Sequence, residues 1–476
     1  MDSAASATPP VPVTAFERRF GHPPGLIVLF FTEMWERFSY YGMRGLLVLY
    51  MVNYLFTDKR QVLQGGEETI AGNPSEVVGF SAIRGLIESV FGPMEIQPLA
   101  SQLYGLYTGL VYLTPVLGGY FADRYLGQRK TVFLGGILMA IGHFLMASEA
   151  LFFIALAFLI FGNGFFKPNI STQVGGLYPE GDPRRDRAFS IFYVGINLGA
   201  FLSNLVCGTL AAVYGWHYGF GAAGIGMMAG LVIYAFGQRY LAADNVMKRQ
   251  EAHVSATSDS LTADEWKRVL ALCALCGLNV VFWAVYEQQG NTMQLWADEQ
   301  TIWPTIAGFT IPSTWFQSFN PFVIMLGTPL LIGFWAWQQK RGTEPSSVAK
   351  MAIGSIVLGL SFIVMVVGSN VVGDGKGSMF WPLFCTLLLT IGELYLSPVG
   401  LSLVTKVAPV RIVSLMMGVW FLSSFLGNYL SGLIGGLYTT MPKDAFFLLL
   451  TALGVATGVA MWAFNKPLKR ALGHGV

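Results

Sequence analysis

Glu33, Glu36, Arg37 and Arg44 lie inside a run, residues 25–55, that is otherwise apolar. Leu-Ile-Val-Leu-Phe-Phe precedes them and Leu-Leu-Val-Leu-Tyr-Met-Val follows. Their spacing places Glu33, Glu36 with Arg37, Tyr40 with Tyr41, and Arg44 on one stripe of a helix. Each charge held inside a bilayer costs at least about 2.5 kcal/mol on insertion scales. Such a stripe must therefore face protein or a water-filled cavity rather than lipid. Two carboxylates one turn apart resist joint ionisation, so one of them can carry a proton.

Three more charges sit within apolar runs: Lys167, Glu287 and Glu393. The set then holds the carboxylates Glu33, Glu36, Glu287 and Glu393 and the cations Arg37, Arg44 and Lys167. One carboxylate lacks a fixed counter-charge. That balance suggests proton-coupled movement of a charged solute. Arg44 and Lys167 are candidates to hold a carboxylate, Arg through its planar fork. Glu393 is the candidate to attract a cation. Cations from one half of the chain facing an acid from the other suit a zwitterion. Tyr40, Tyr41, Tyr112, Trp283 and Trp420 are candidate walls for the rest of it. A network serving only to glue helices needs fewer polar groups than this.

The elements that must position these residues are membrane spans. The chain has 476 residues, of which 54% are hydrophobic and 12% charged. A soluble domain carries about 25% charged residues, and about 20 apolar residues cross a bilayer. Twelve spans are expected. The first six run over 25–55, 97–122, 130–148, 150–177, 187–210 and 218–241. The second six run over 264–294, 315–337, 347–369, 379–406, 411–438 and 444–465. The fold class is thus an all-α polytopic membrane protein. Its polar segment 242–263 reads as a cytoplasmic linker between an N-terminal six-helix bundle, 25–241, and a C-terminal one, 264–465. Two halves around a central path form the major facilitator architecture.

Lys and Arg crowd on one set of connections, among them Arg124, Arg129, Lys130, Arg184, Arg185, Arg187, Lys248, Arg249, Lys340 and Arg341. The opposite set carries only Lys59, Arg60, Arg84, Lys376 and Lys443. The positive-inside rule then puts residues 1–24 and 466–476 in the cytoplasm as tails. Residues 1–24 show no signal-peptide core. The connection 57–96 is long and external. Val77, Val78, Phe80, Ile83, Leu86, Ile87, Val90 and Phe91 recur there at helical spacing. An amphipathic helix is expected, either on the membrane surface or over the transporter mouth. Cys273 and Cys276 form a CxxC with no partner ligands, so no metal site is expected.

Glu33-Met-Trp-Glu36-Arg37-Phe-Ser-Tyr40-Tyr41-Gly42 resembles the ExxER signature of the proton-dependent oligopeptide transporter family within the major facilitator superfamily. Gly118-Gly-Tyr-Phe-Ala-Asp123-Arg124-Tyr-Leu-Gly127 resembles that family's loop 2–3 motif. Phe165-Phe-Lys167-Pro168-Asn169 and the string from Phe189 through Asn197 to Phe201 are similar to its span-4 and span-5 motifs. The segments around Trp283–Gly290, Gln317–Pro321, Gly392–Pro398 and Trp420–Ser424 complete the likeness.

The resemblance implies a proton-coupled symporter that imports di- and tripeptides by alternating access. It implies that Glu33, Glu36 and Arg37 form the proton-linked network with Lys167, and that Glu287 is a second protonation site. Arg44 and Lys167 would hold the peptide carboxylate. Glu393, Asn197 and Asn320 would hold the amino terminus. Tyr40, Tyr41, Tyr112, Trp283, Ser397 and Trp420 would line the side-chain pockets. Arg44 with Glu287 would gate the outside, and Asp123 with Arg124 would latch the cytoplasmic side. No cofactor is implied beyond the proton as coupling ion. The expected partners are peptides, protons and the lipid bilayer of an inner or plasma membrane, with no nucleic acid, and the expected state is a monomer.

Two departures from family variants are visible. Segment 242–263 is too short for two extra helices, and Tyr104 is followed by Gly105 where some relatives carry a histidine. Another small charged solute, nitrate or an organic anion, is the alternative reading. No nucleophile–base pair or metal motif points to an enzyme.

Overall fold

The computed structural model describes residues 15–57, 74–179, 182–242, 261–409 and 412–472. A short helix, α1 (Ala15–Phe20), precedes α2 (Pro24–Tyr50). Proline suits the first turn of α2 because its missing N–H would have no partner there. The four charges of α2 leave it helical. Glu33, Glu36 and Arg37 are at most 2% exposed. A π-helical turn, Met51–Leu55, ends the element.

Helix α3 (Phe80–Phe91) lies in the connection to α4 (Ile96–Leu113). Phe80 is buried against Phe56, whereas Leu86 and Val90 point outward. The chain bends at Thr114–Pro115 into α5 (Pro115–Phe121), then a π turn, Ala122–Leu126, that carries Asp123 and Arg124. The first half closes with α6 (Gln128–Leu145), α7 (Phe152–Gly176), α8 (Arg184–Tyr214) and α9 (Trp216–Gly237).

Helix α10 (Ala263–Tyr286) opens the second half on a capping box. Thr262 Oγ1 accepts from the Glu265 N–H, and the Glu265 carboxylate accepts from the Thr262 N–H. This helix breaks at Glu287–Gln289 before α11 (Thr292–Glu299). Then follow α12 (Phe316–Lys340), α13 (Ser347–Val372), α14 (Phe380–Val407), α15 (Val413–Gly435) and α16 (Lys443–Leu472). Four two-residue strands decorate the connections after α11 and α13.

Within the first half, α2 packs on α8 and α9, and α6 on α7 and α9. Within the second, α13 packs on α14 and α16, and α10 on α15 and α16. The halves meet where α4 crosses α15 and α8 crosses α12. Small residues allow that approach. A Cβ on Gly105 would lie 2.7 Å from Gly432, a distance no packed carbon tolerates. The outer surface is apolar, with Phe236, Leu330 and Val371 exposed. Such a face belongs against lipid.

Among the described residues, nine helical stretches are long and apolar enough to cross a membrane unaided. The three other expected spans fall outside that set. Helix α2 carries four charges, α4 and α5 are divided at Thr114, and α6 opens on Gln128-Arg129-Lys130. Several expected boundaries move by a few residues. Helix α8 starts at Arg184 rather than 187, and α16 runs on to Leu472 rather than ending at 465. Arg184 donates to both Asp182 and Glu17, which ties the first turn of α8 to α1. Most of the expected linker, residues 243–260, lies outside the described residues.

Candidate functional site

The polar stripe of α2 faces the interface between the halves. Glu36 receives two bonds from Arg37, Nε to Oε2 at 2.5 Å and Nη2 to Oε1 at 2.8 Å. Asn163 of α7 donates to the same Glu36 Oε1 at 3.1 Å. Glu33 is held more weakly, its Oε1 lying 3.3 Å from Arg37 Nε. Its second oxygen is buried and, among the described residues, has no hydrogen-bond partner. One guanidinium thus serves two carboxylates unequally. Glu36 holds three donors, and Glu33 keeps one oxygen unsatisfied.

Two turns further along α2, Arg44 pairs with Glu287. Glu287 is the first residue after α10 ends, so this ion pair joins the halves at the break in that helix. Arg44 Nε also donates to the Tyr104 hydroxyl of α4 at 2.8 Å. Gly290 closes the same corner, where a Cβ would lie 2.0 Å from the Tyr104 oxygen. Further cross-links continue toward the end remote from the termini. Ser101 donates to Asn291 at 2.9 Å, Gln97 to the Gly435 carbonyl at 3.0 Å, and Asn53 to Asp298 at 3.0 Å. That end is closed.

Beneath this closure a cavity of about 280 Å³ lies between the halves. Its lining includes Tyr41, Arg44, Tyr112, Lys167 and Asn197 from the first half. The second half contributes Trp283, Glu287, Asn320, Glu393 and Ser397. Lys167 Nζ stands 4.8 Å from the centroid of the Tyr112 ring, a cation–π distance. Among the described residues it makes no ion pair within 4 Å. Glu393 also has no cation at that range. Its Oε2 accepts from the Tyr286 hydroxyl at 2.8 Å and from Asn320 Nδ2 at 3.1 Å. Asn320 is steadied in turn by Thr390 at 2.9 Å. The cavity therefore presents an unpaired cation on one half and an unpaired carboxylate on the other.

Two expected pocket residues are placed elsewhere. Tyr40 is buried beneath the Arg37 guanidinium, 5.1 Å from ring centroid to Cζ, and is not part of the lining. Trp420 packs over Gly400, where a Cβ would lie 2.2 Å from the indole. Both large rings find close-packed partners away from the cavity. Asn197 reaches the lining while its amide donates along α8 to the Tyr193 carbonyl at 3.0 Å. Lys167 shares the cavity but stands outside the Glu33–Glu36–Arg37 ion pairs. Asp123 and Arg124 lie beyond α5, where Arg124 is exposed and donates to the Tyr120 hydroxyl at 3.0 Å.

Asn163, Tyr104 and Tyr286 are the residues that spacing alone passed over. Asn163 had a signal, since it sits one helical turn before Lys167 in an apolar run. Tyr286 had none, because a tyrosine beside a tryptophan in a span reads as ordinary packing.

The sequence profile of the POT family matches residues 129–249 and 240–452. A relative named peptide transporter YePEPT, from Yersinia enterocolitica, is 35% identical over 88% of each chain. The di-/tripeptide transporter of Lactococcus lactis is 31% identical over 95% of this chain and 97% of its own. A solved variant of peptide transporter POT in complex with alafosfalin superposes with a TM-score of 0.80 at 33% identity, covering 98% of each chain. With its helical architecture, its polar interface and these matches along nearly its whole length, the chain belongs to the POT family of transporters.

Proposed function

We propose that the protein imports di- and tripeptides together with protons by alternating access. The observation that carries this reading is the pair of unpaired opposite charges, Lys167 and Glu393, lining one cavity. A short peptide brings a carboxylate for the first and an ammonium for the second. Desolvated charges of that kind bind tightly only when each finds its partner. Nitrate or another anion would satisfy Lys167 and leave Glu393 unpaired. The names of the relatives, peptide and di-/tripeptide transporters, support the same substrate class.

In this reading both termini face the cytoplasm of a cell with an inner or plasma membrane, and the closed end faces outward. Helix α2, the α4–α5 pair and α6 then span with the nine apolar stretches, giving twelve spans in two six-helix halves, 25–241 and 264–465. Asp123 and Arg124 latch the cytoplasmic end when it shuts. The protein works as a monomer, since each chain contains a complete cavity.

The cycle follows from the pairings. Outside, a proton settles on Glu33, whose buried Oε2 lacks a donor, and the spare negative charge is neutralised. Protonation of Glu287 would release Arg44 to join Lys167 on the peptide carboxylate. Asn197 and Asn320 help Glu393 to receive the ammonium, while Tyr41, Tyr112, Trp283 and Ser397 bound the side chains. When Glu287 passes its proton inward, Arg44–Glu287 re-forms and shuts the outer end, and peptide and protons leave on the other side.

Uptake of radiolabelled dialanine into proteoliposomes tests this. Accumulation above equilibrium under an inward proton gradient, abolished by a protonophore, is the expected result. Correctly folded protein that takes up an organic anion but no dialanine would overturn it.

A further inference from the structure

The last residue of α10 and the residue after it make different connections. Tyr286, ending the helix, donates to Glu393 in α14 of the same half. Glu287, beginning the tight turn, pairs with Arg44 in α2 of the other half. One peptide bond therefore separates a contact to the proposed ammonium site from a contact that closes the far end. We propose that Tyr286 is a positioning residue that ties the Glu393 carboxylate to the Arg44–Glu287 closure, so that filling one acts on the other. This rests on the peptide reading of the cavity.

The geometry at Glu393 is one-sided. Tyr286 and Asn320 both donate to Oε2, so the incoming ammonium is directed to the other oxygen. A hydrogen bond onto an ionised carboxylate is roughly twice as strong as one between neutral groups. An ammonium that neutralises Glu393 therefore weakens the Tyr286 bond. The Asn320 bond stays inside the half, anchored by Thr390, whereas the Tyr286 bond restrains the end of α10. Releasing it frees the turn that carries Glu287. The coupling is reciprocal by linkage. With the closure made, the Tyr286 bond to Glu393 is held in place and competes with the next ammonium.

The turn is built for such a transfer. Between Tyr286 and Thr292 the α-helical pattern gives way to the tighter bonds of Gly290 N–H to the Glu287 carbonyl and Asn291 N–H to the Gln288 carbonyl, and Asn291 adopts φ −111°, ψ −95°. Movement at the turn need not propagate along the rest of α10. The ring of Tyr286 packs edge-on to Trp283 at 5.2 Å and stacks on Phe282 at 6.2 Å. Removing only the hydroxyl keeps these contacts, so Tyr286→Phe separates the tie from the packing.

The test compares Tyr286→Phe with the wild type in nanodiscs. Dissociation constants for dialanine and for N-acetyl-dialanine, which lacks the ammonium, come from ligand-induced thermal stabilisation. Spin labels at Glu95→Cys and Thr440→Cys report the far-end distance. The tie predicts roughly tenfold tighter dialanine binding, because the ammonium no longer has to weaken one hydrogen bond to a charged group. N-acetyl-dialanine binding should be unchanged. It also predicts a larger open population at the far end in the ligand-free variant, and a distance response to saturating dialanine smaller than in the wild type. Equal affinity ratios together with an unchanged ligand-free distance distribution would overturn the proposal. A wild type that binds no dialanine defeats the peptide reading instead, and the ligand-free distances still decide the tie.

Discussion

At the scale of single residues, the site works by unequal sharing. Arg37 gives two bonds to Glu36 and a longer contact to Glu33, while Asn163 adds a third donor to Glu36. Protonating Glu36 would waste three donors. Protonating Glu33 wastes little, because its Oε2 has no partner. Glu33→Gln is therefore expected to reduce proton-driven dialanine accumulation to background while leaving counterflow exchange at half or more of wild type. Parallel uptake and counterflow assays check this, and accumulation that survives in Glu33→Gln would assign the proton elsewhere. The charges themselves were legible in the sequence, because a charge in an apolar run has few explanations. The sharing was not, because it depends on which rotamers and which α7 residues meet α2.

At the scale of elements, helices that must cross closely do so on glycine. Gly105 of α4 and Gly432 of α15 touch where the halves close, and a Cβ on Gly432 would meet the Ser101 carbonyl at 2.7 Å. A branched side chain there must push α15 off α4. Gly432→Val is expected to hold the far end open. Thiol labelling of a cysteine placed at Ser101 should quicken severalfold relative to the glycine parent, while thermal stability in detergent falls. Unchanged labelling would show that the crossing tolerates the extra methyls. Elements with a strong apolar run were easy to find from sequence. The break after Tyr286 was not, since no Pro marks it and the polar run Glu287-Gln288-Gln289 fits a helix equally well.

At the scale of the whole molecule, closure of the far end is distributed. The Arg44–Glu287 pair, the α4–α15 crossing and the Asn53–Asp298 bond act together along the same seam. A conformational cycle must open all of them at once. Asn53 and Asp298 lie within hydrogen-bond reach across it, at 3.0 Å between side chains. The double variant Asn53→Cys, Asp298→Cys is expected to be joined by a short bis-methanethiosulfonate cross-linker and so to arrest dialanine uptake, with reductant restoring it. Uptake that continues with the cross-link complete would exclude opening at this seam as part of transport.

Sequence alone determined the class of the protein. Long apolar runs, the clustering of Lys and Arg and the buried charges are one-dimensional features with large transfer free energies, so they survive without knowledge of contacts. It also identified most of the charged lining, because a bilayer penalises every charge that lacks a purpose. The tertiary structure decided which charges pair and which stay free. It left Lys167 and Glu393 unpaired, turned Tyr40 under Arg37 and Trp420 onto Gly400, and brought Asn163 and Tyr286 onto carboxylates more than 100 residues away in sequence. The reason is range. Burial cost is a property of a residue and its neighbours in the chain, whereas a hydrogen bond needs two atoms within about 3 Å, and only the packed helices set that distance.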